Sequence, residues 1–376
     1  MKKTYLACTV IGVLGATLAT THIHADTNIS LKTHMGYDSN PYRFNDQFTI
    51  ESSSFFAYEL RAKHEIGKHV RIKAELDSQI YNDNASHGDN QSISTQVRYQ
   101  TGKKRRPKGI EVNYKQFDKT YVSRLQGGTD TYSGVPLDDR YDYEQMSVSG
   151  FTTLKLKKRL YNEMKFKWIV KDYEDFNQIA ITDYDYQSFI VKNSLSHTIR
   201  KGQYQEFILG YESRLFKNRE QKDLQGNEIA NTDMAFHYLN LAYQHKYEKI
   251  KGVDLSFNLA YKVRNDNGSG YYNSKWMTFG MNSQFKLGKK TNLELAYSFK
   301  DFSYDREPLL DNTGIDEEFG SDSKHEFEIK SKTRLPKWVG KRAYWDARYS
   351  YLTADSNYTK YTYNRHILET GLKFTF

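Results

Sequence analysis

Residues 360–376 read KYTYNRHILETGLKFTF. From Ile367 onward they separate into two interleaved sets. Leu368, Thr370, Leu372, Phe374 and Phe376 form one; Ile367, Glu369, Gly371, Lys373 and Thr375 form the other. Period-two alternation marks a strand with one apolar and one polar face. The alternation runs into the last residue of the sequence, and that residue is Phe.

Outward from this stretch the same pattern recurs. In 49–66, Phe56, Tyr58, Leu60 and Ala62 alternate with Glu59, Arg61 and Lys63. In 69–81, Val70, Ile72, Ala74 and Leu76 oppose Arg71, Lys73, Glu75 and Asp77. About sixteen such runs can be traced, each able to supply the roughly 9–11 residues a tilted strand needs to cross a bilayer. Short basic connections such as GKKRRPKG (102–109) alternate with longer ones such as DREPLLDNTGIDEEFGSDS (305–323). An even count puts both chain ends on one side, as a membrane barrel requires. A miscount of one hairpin would give about 14 or about 18 strands instead, both even.

Composition excludes several classes. The chain has 376 residues, 38% of them hydrophobic, and a mean hydropathy of −0.81, a thin core for a soluble protein. Yet it holds 31 Tyr and 21 Phe against 5 Pro, which argues against disorder. Past the N-terminus no apolar run reaches the ~18 residues of a membrane helix. A secreted sandwich would use shorter strands, and no solenoid period is visible.

Residues 1–25 read as a signal peptide to be cleaved: Lys2 and Lys3, an apolar segment from Tyr5 to Ala19, and Ile23-His24-Ala25 before Asp26. Cys8, the one cysteine, falls within it, so the remainder has no disulfide and no Cys metal site. Signal segment, alternation and terminal aromatic together resemble Gram-negative outer-membrane β-barrel proteins of the porin type. The resemblance implies an all-β fold, a transmembrane antiparallel β-barrel of about 16 strands over 26–376, in the outer membrane of a Gram-negative bacterium. Outer-membrane lipid and lipopolysaccharide would surround it, and porin likeness allows a homotrimer.

If the apolar set faces lipid, the charged set faces the lumen. Hand assignment gives roughly 28 inward basic side chains against about 12 acidic. Arg61, Arg71, Lys73, Arg98, Lys115, Lys165, Lys167, Lys330, Lys332, Arg348, Arg365 and Lys373 are the expected lining. A barrel this wide keeps an aqueous channel unless a loop plugs it. A basic wall concentrates anions, which points to passive diffusion of small anionic solutes. The same charges could instead only solvate the interior, since Glu326 and Glu328 lie among the lysines. A second reading is a conduit for an anionic polysaccharide or acidic oligosaccharides.

The segment 118–142 is the third long connection. By resemblance to sixteen-stranded porins it would fold inward, setting Asp130, Asp138, Asp139 and Asp142 opposite Arg98, Lys115, Lys165 and Lys167. An ordinary surface loop is the competing reading.

A pI near 9.1 suggests nucleic acid, but the basic residues are spread over every hairpin rather than in one stripe, which excludes that partner. The Asp and Asn clusters at 82–90, 265–270 and 311–322 lack calcium-loop spacing and read as solvated loops. No GxSxG or HExxH is present, so neither cofactor nor metal nor catalysis is expected. His64, His197, His245 and His325 fall on the lipid-facing register near strand ends. Tyr37, Tyr81, Tyr99, Tyr114, Tyr173, Tyr211, Tyr243, Tyr261 and Tyr297 read as interface girdles, while Phe151 and Tyr344 point inward.

Overall fold

The computed structural model describes residues 26–43, 52–82, 88–103, 105–120, 131–132, 135–136, 139, 141–174, 184–250, 252–305, 322–340, 342–356 and 361–376. The expected signal segment, Asp130 and Asp138 lie outside them. The first half of the chain contributes β1 (Asp26–Asp38), β2 (Ser53–Ile66), β3 (Val70–Tyr81), β4 (Asn90–Lys103) and β5 (Arg106–Lys119). Two short strands, β6 (Thr131–Tyr132) and β7 (Val135–Pro136), pair with each other outside the wall. The wall resumes with β8 (Tyr143–Lys157), β9 (Leu160–Tyr173), β10 (Tyr186–Arg200) and β11 (Gln203–Phe216). A second small pair, β12 (Gln221–Lys222) and β13 (Glu228–Ile229), precedes β14 (Ala235–Ile250) and β15 (Val253–Asp266). The wall ends with β16 (Ser274–Leu287), β17 (Thr291–Tyr304), β18 (Asp322–Arg334), β19 (Ala343–Ser356) and β20 (Tyr363–Thr375).

Sixteen of these strands form one closed antiparallel barrel, each beside its sequence neighbours, with β1 closing on β20. Even the shortest wall strand, β3 at 12 residues, spans ~40 Å along its axis and ~28 Å of depth at a 45° tilt, enough for the ~25 Å apolar band of an outer-membrane barrel. Gly67 (φ 59°) and Gly202 (φ 79°) supply the left-handed backbone of two short turns. By the usual asymmetry the short turns are periplasmic and the long connections extracellular.

Pairing carries one face around the whole circumference. Phe56 opposes Ile80, Leu241 opposes Tyr261, Phe327 opposes Tyr351 and Tyr349 opposes Leu368. This apolar set is exposed; Phe166 and Leu368 keep more than half of their surface open. In water such a band would drive aggregation, and in lipid it is the matched surface. Tyr37, Tyr99, Tyr211 and Tyr261 stand outward near its edges, and Tyr114, Tyr243 and Tyr297 share their face. Three outward histidines pair with tyrosines: the hydroxyls of Tyr211, Tyr297 and Tyr349 lie 3.0, 2.9 and 2.9 Å from Nδ1 of His237, His325 and His366.

Tyr81 and Tyr173 correct the sequence reading. Both end their strands, but register assigns them to the lumen, opposite Phe55 and Tyr143. Position along a strand sets height, and parity sets face. Tyr81 is buried and donates to Asp38 Oδ2 at 2.8 Å; Tyr173 packs on Tyr143 and Tyr184.

The seam depends on glycine. Gly371 sits opposite His34, and a Cβ there would lie 1.9 Å from the imidazole and 2.2 Å from the Thr33 carbonyl oxygen. The carbonyl is backbone and cannot rotate away. Gly371→Val therefore blocks closure: refolded protein should lose the compact, heat-modifiable gel band. Gly150→Ala, where a Cβ meets nothing within 4 Å, should keep it.

Candidate functional site

The lumen wall is built by parity alone. All twelve basic residues expected to line it lie on the face opposite the apolar band: Arg61 on β2, Arg71 and Lys73 on β3, Arg98 on β4 and Lys115 on β5. Lys165 and Lys167 follow on β9, Lys330 and Lys332 on β18, Arg348 on β19, and Arg365 and Lys373 on β20. By register, the described residues of the wall include about 26 basic and about 17 acidic side chains. Strand-end acids such as Asp38, Asp266 and Asp322 belong to the wall, so the basic excess is smaller than the sequence alone suggests.

Part of the charge is internally matched. Glu111 holds Arg98 and Lys165, each at 3.6 Å. Arg348 bridges two neighbouring strands, bonding Glu328 and reaching Glu369 at 2.9 Å. At the seam His34 Nε2 lies 2.8 Å from Asp346, with Lys32 at 3.6 Å from the same carboxylate. Near the extracellular end Arg365 clasps the fully buried Asp38, its Nε 3.0 Å from both carboxylate oxygens.

The rest is not matched. Six pairs of basic residues oppose each other directly across neighbouring strands: Lys32–Lys373, Lys63–Lys73, Arg71–Arg98, Lys165–Lys192, Lys300–Lys324 and Lys330–Arg348. Among the described residues two acidic pairs, Glu59–Asp77 and Asp26–Glu65, do so on this face. In four of the six, one member (Lys373, Lys73, Lys192 or Lys300) makes no ion pair among the described residues.

The sequence reading missed an aromatic half of the vestibule. Tyr186, Phe216, Phe236, Tyr238, Trp276, Phe302 and Tyr304 face inward on adjacent strands. Trp276 stacks on Phe302 at 4.9 Å, and Phe216 meets Phe236 edge-on at 5.0 Å. Cations lie over the rings: Lys262 Nζ is 4.0 Å from the Tyr238 centroid, and the Arg214 guanidinium 4.4 Å from that of Tyr186. Parity would have found them, since Trp276 is two residues from Thr278 on the polar face of its run. Phe151 and Tyr344 do point inward, under Arg98 and Lys332 at 4.3 and 4.4 Å.

Of the acidic loop residues, Asp142 is a rim element. Its carboxylate accepts from the Lys119 amide at 2.6 Å, and its own amide donates to the Asp139 carbonyl at 2.9 Å. Carboxylate oxygens of Asp118, Asp139 and Asp142 gather there within 4.8 Å of one another. In the loop 265–270, Asp266 accepts from the amides of Gly268, Gly270 and Tyr272 at 3.1, 2.8 and 2.8 Å, so its oxygens already serve the turn. Asp223 plays the same part in the loop after β11. Bonds from the Asn227 side chain, then from the amides of Asn227 and Gln225, hold its carboxyl below the usual range.

The geometry is that of a porin-type outer-membrane barrel. A solved structure it is similar to is OprB of Pseudomonas putida, at a TM-score of 0.51 and 9% identity over 94% of each chain. The anion-selective porin from Comamonas acidovorans aligns at a TM-score of 0.45 and 11% identity, over 94% of this chain and 99% of that one. OpdK of Pseudomonas aeruginosa, solved with vanillate, aligns at 0.47 and 8%, over 93% and 99%. At these identities the likeness to OprB is one of fold. No protein-family model matches the sequence, and no curated protein is significantly similar to it.

Asp38→Asn leaves the largely buried Arg365 guanidinium without its counter-charge. Removing one partner of a buried ion pair costs about 3–5 kcal/mol. Equilibrium unfolding in denaturant should show a loss of that order, and Asp38→Asn combined with Arg365→Met should recover most of it.

Proposed function

We propose that this barrel is an outer-membrane channel through which small hydrophilic solutes diffuse, with anions preferred. The observation that carries the reading is the set of six directly opposed basic pairs on the lumen wall. Like charges facing each other destabilise a sheet. Where a basic residue has no acidic partner in the wall, an anion in the lumen neutralises it. A low-dielectric wall focuses that field along the pore axis and raises the local anion concentration. Sixteen strands enclose a cross-section that side chains do not fill, so passage needs no moving part.

Within this reading Lys165, Lys167, Lys330, Lys332, Arg348 and Lys373 form the selective wall, and Arg61, Arg71, Lys73, Arg98, Lys115 and Arg365 extend it around the circumference. Glu111, Glu328 and Glu369 hold some of these cations in place. A wall that was only solvating its interior would match its charges throughout, as it does at Glu111.

The test is the reversal potential of the refolded barrel in a planar bilayer across a KCl gradient. A chloride-selective potential is expected. It should fade as salt rises, because the screening length drops from ~10 Å at 0.1 M to ~3 Å at 1 M. Lys165→Glu with Lys192→Glu, which turns one basic pair acidic, should move the potential towards the potassium side. A cation-selective potential in the unmodified barrel, or no conductance from folded protein, would overturn the proposal.

A further inference from the structure

Two cavities adjoin in the extracellular half of the lumen. One, of about 400 Å³, is lined by Arg214, Tyr238, Lys262, Arg264 and Trp276 together with small or amide side chains. Among the described residues no carboxylate lines it, although Glu212 accepts from Arg214 at 3.0 Å. The other, of about 540 Å³, begins at the same Trp276 and continues past Phe302 and Lys300 to Arg348 and Arg365, with Asp322 and Glu326 the two carboxylates among its described lining against five cations. Trp276 lines both cavities and stacks at 4.9 Å on Phe302, which lines the second.

The two together make a path that crosses β11 to β20 rather than a single pocket. Strands lie ≈ 4.8 Å apart, so the path offers a new cation or ring at about that interval across many strands. Lys262 and Lys300 have no ion-pair partner among the described residues. Each lies beside an aromatic platform: Lys262 is 5.5 Å from the Trp276 ring, and Lys300 lines the same cavity as Phe302.

This combination selects a ligand chemistry. Chloride or phosphate would use the cations and ignore the rings. A neutral sugar would use the rings and gain nothing from the cations. A small aromatic acid would fill one cavity and leave its neighbour idle. A chain of carboxylated sugars presents an apolar ring face and a carboxylate on every unit, repeated along its length.

We propose that this aromatic and cationic path is a binding site for an acidic oligosaccharide, a short chain of uronate-type sugars. The inference rests on the anion-preferring channel above and names the class of substrate that channel handles. Trp276 supplies the platform, and Lys262 and Lys300 meet successive carboxylates.

The probe is trigalacturonate, added to the refolded barrel in a planar bilayer. It should block the chloride current saturably. Maltotriose, with the same number of rings and no charge, should not, and neither should benzoate at the same concentration. Trp276→Leu keeps every charge, so the chloride reversal potential should stand while the blocking affinity falls about tenfold, the upper end of what an aromatic contact contributes. Lys262→Gln should weaken the block by a similar factor. Trp276 is the one inward tryptophan among the described residues, with Trp168 and Trp345 on the lipid face and Trp338 in an exposed turn. Quenching of its fluorescence by trigalacturonate in detergent therefore reports binding without any current. Equal block by maltotriose, saturable block by benzoate, or a Trp276→Leu barrel blocked as well as the parent would each overturn the site. A non-selective barrel that still shows saturable quenching would overturn the channel's anion preference and leave the site standing.

Discussion

Within a bilayer no water reaches the backbone, and every N–H and C=O must find its partner in the protein. That constraint shapes this molecule. A sheet satisfies it only by having no edge, so β1 must meet β20. Closure in turn makes parity global. Once Gly36 and Gly371 allow the two strands to lie close, each residue's face is set by the register of its neighbours. Apolar side chains then have one place to go and charged ones the other.

The charge pattern of the wall is thus inherited from backbone geometry. Opposed lysines such as Lys300 and Lys324 are held together because slipping one strand would put a lysine into hydrocarbon, at about 2–4 kcal/mol near the midplane. Some of the repulsion is relieved within the wall by Glu111, Glu328 and Asp346. Some is relieved by aromatic rings, whose negative faces lie beneath Lys262 and Arg214. The rings also shelter the alkyl stems of these side chains. In that half of the vestibule Arg214 also keeps Glu212 beside it, while Lys262 rests on rings without an ion pair among the described residues.

The fold was legible because alternation is a local signal repeated sixteen times. Phe327 and Ile329 against Glu326 and Glu328 already declare two faces, and no tertiary knowledge is needed to extend the pattern. The candidate lining was legible for the same reason. What escaped were features that depend on which parity a strand end adopts. Tyr81 and Tyr173 look like girdle residues from their height, and only the partners Phe55 and Tyr143 reveal that they face inward. The aromatic path escaped because its members come from separate strands: nothing in the run around Trp276 says that Tyr238 will stand beside it. The ion pairs of Arg348 and Arg365 reach across strands in the same way, and alternation does not encode which acid a base will meet.

The clasp between Asp38 and Arg365 joins side chains 327 positions apart. Loop-closure entropy must be overcome before such a contact can reward the chain. β20 completes β1, so every intermediate lacking that contact carries two raw hydrogen-bonding edges. Such an intermediate cannot rest in the hydrocarbon. Stability in the bilayer therefore arrives only with closure, because until β1 and β20 meet both edges must be satisfied by something other than lipid.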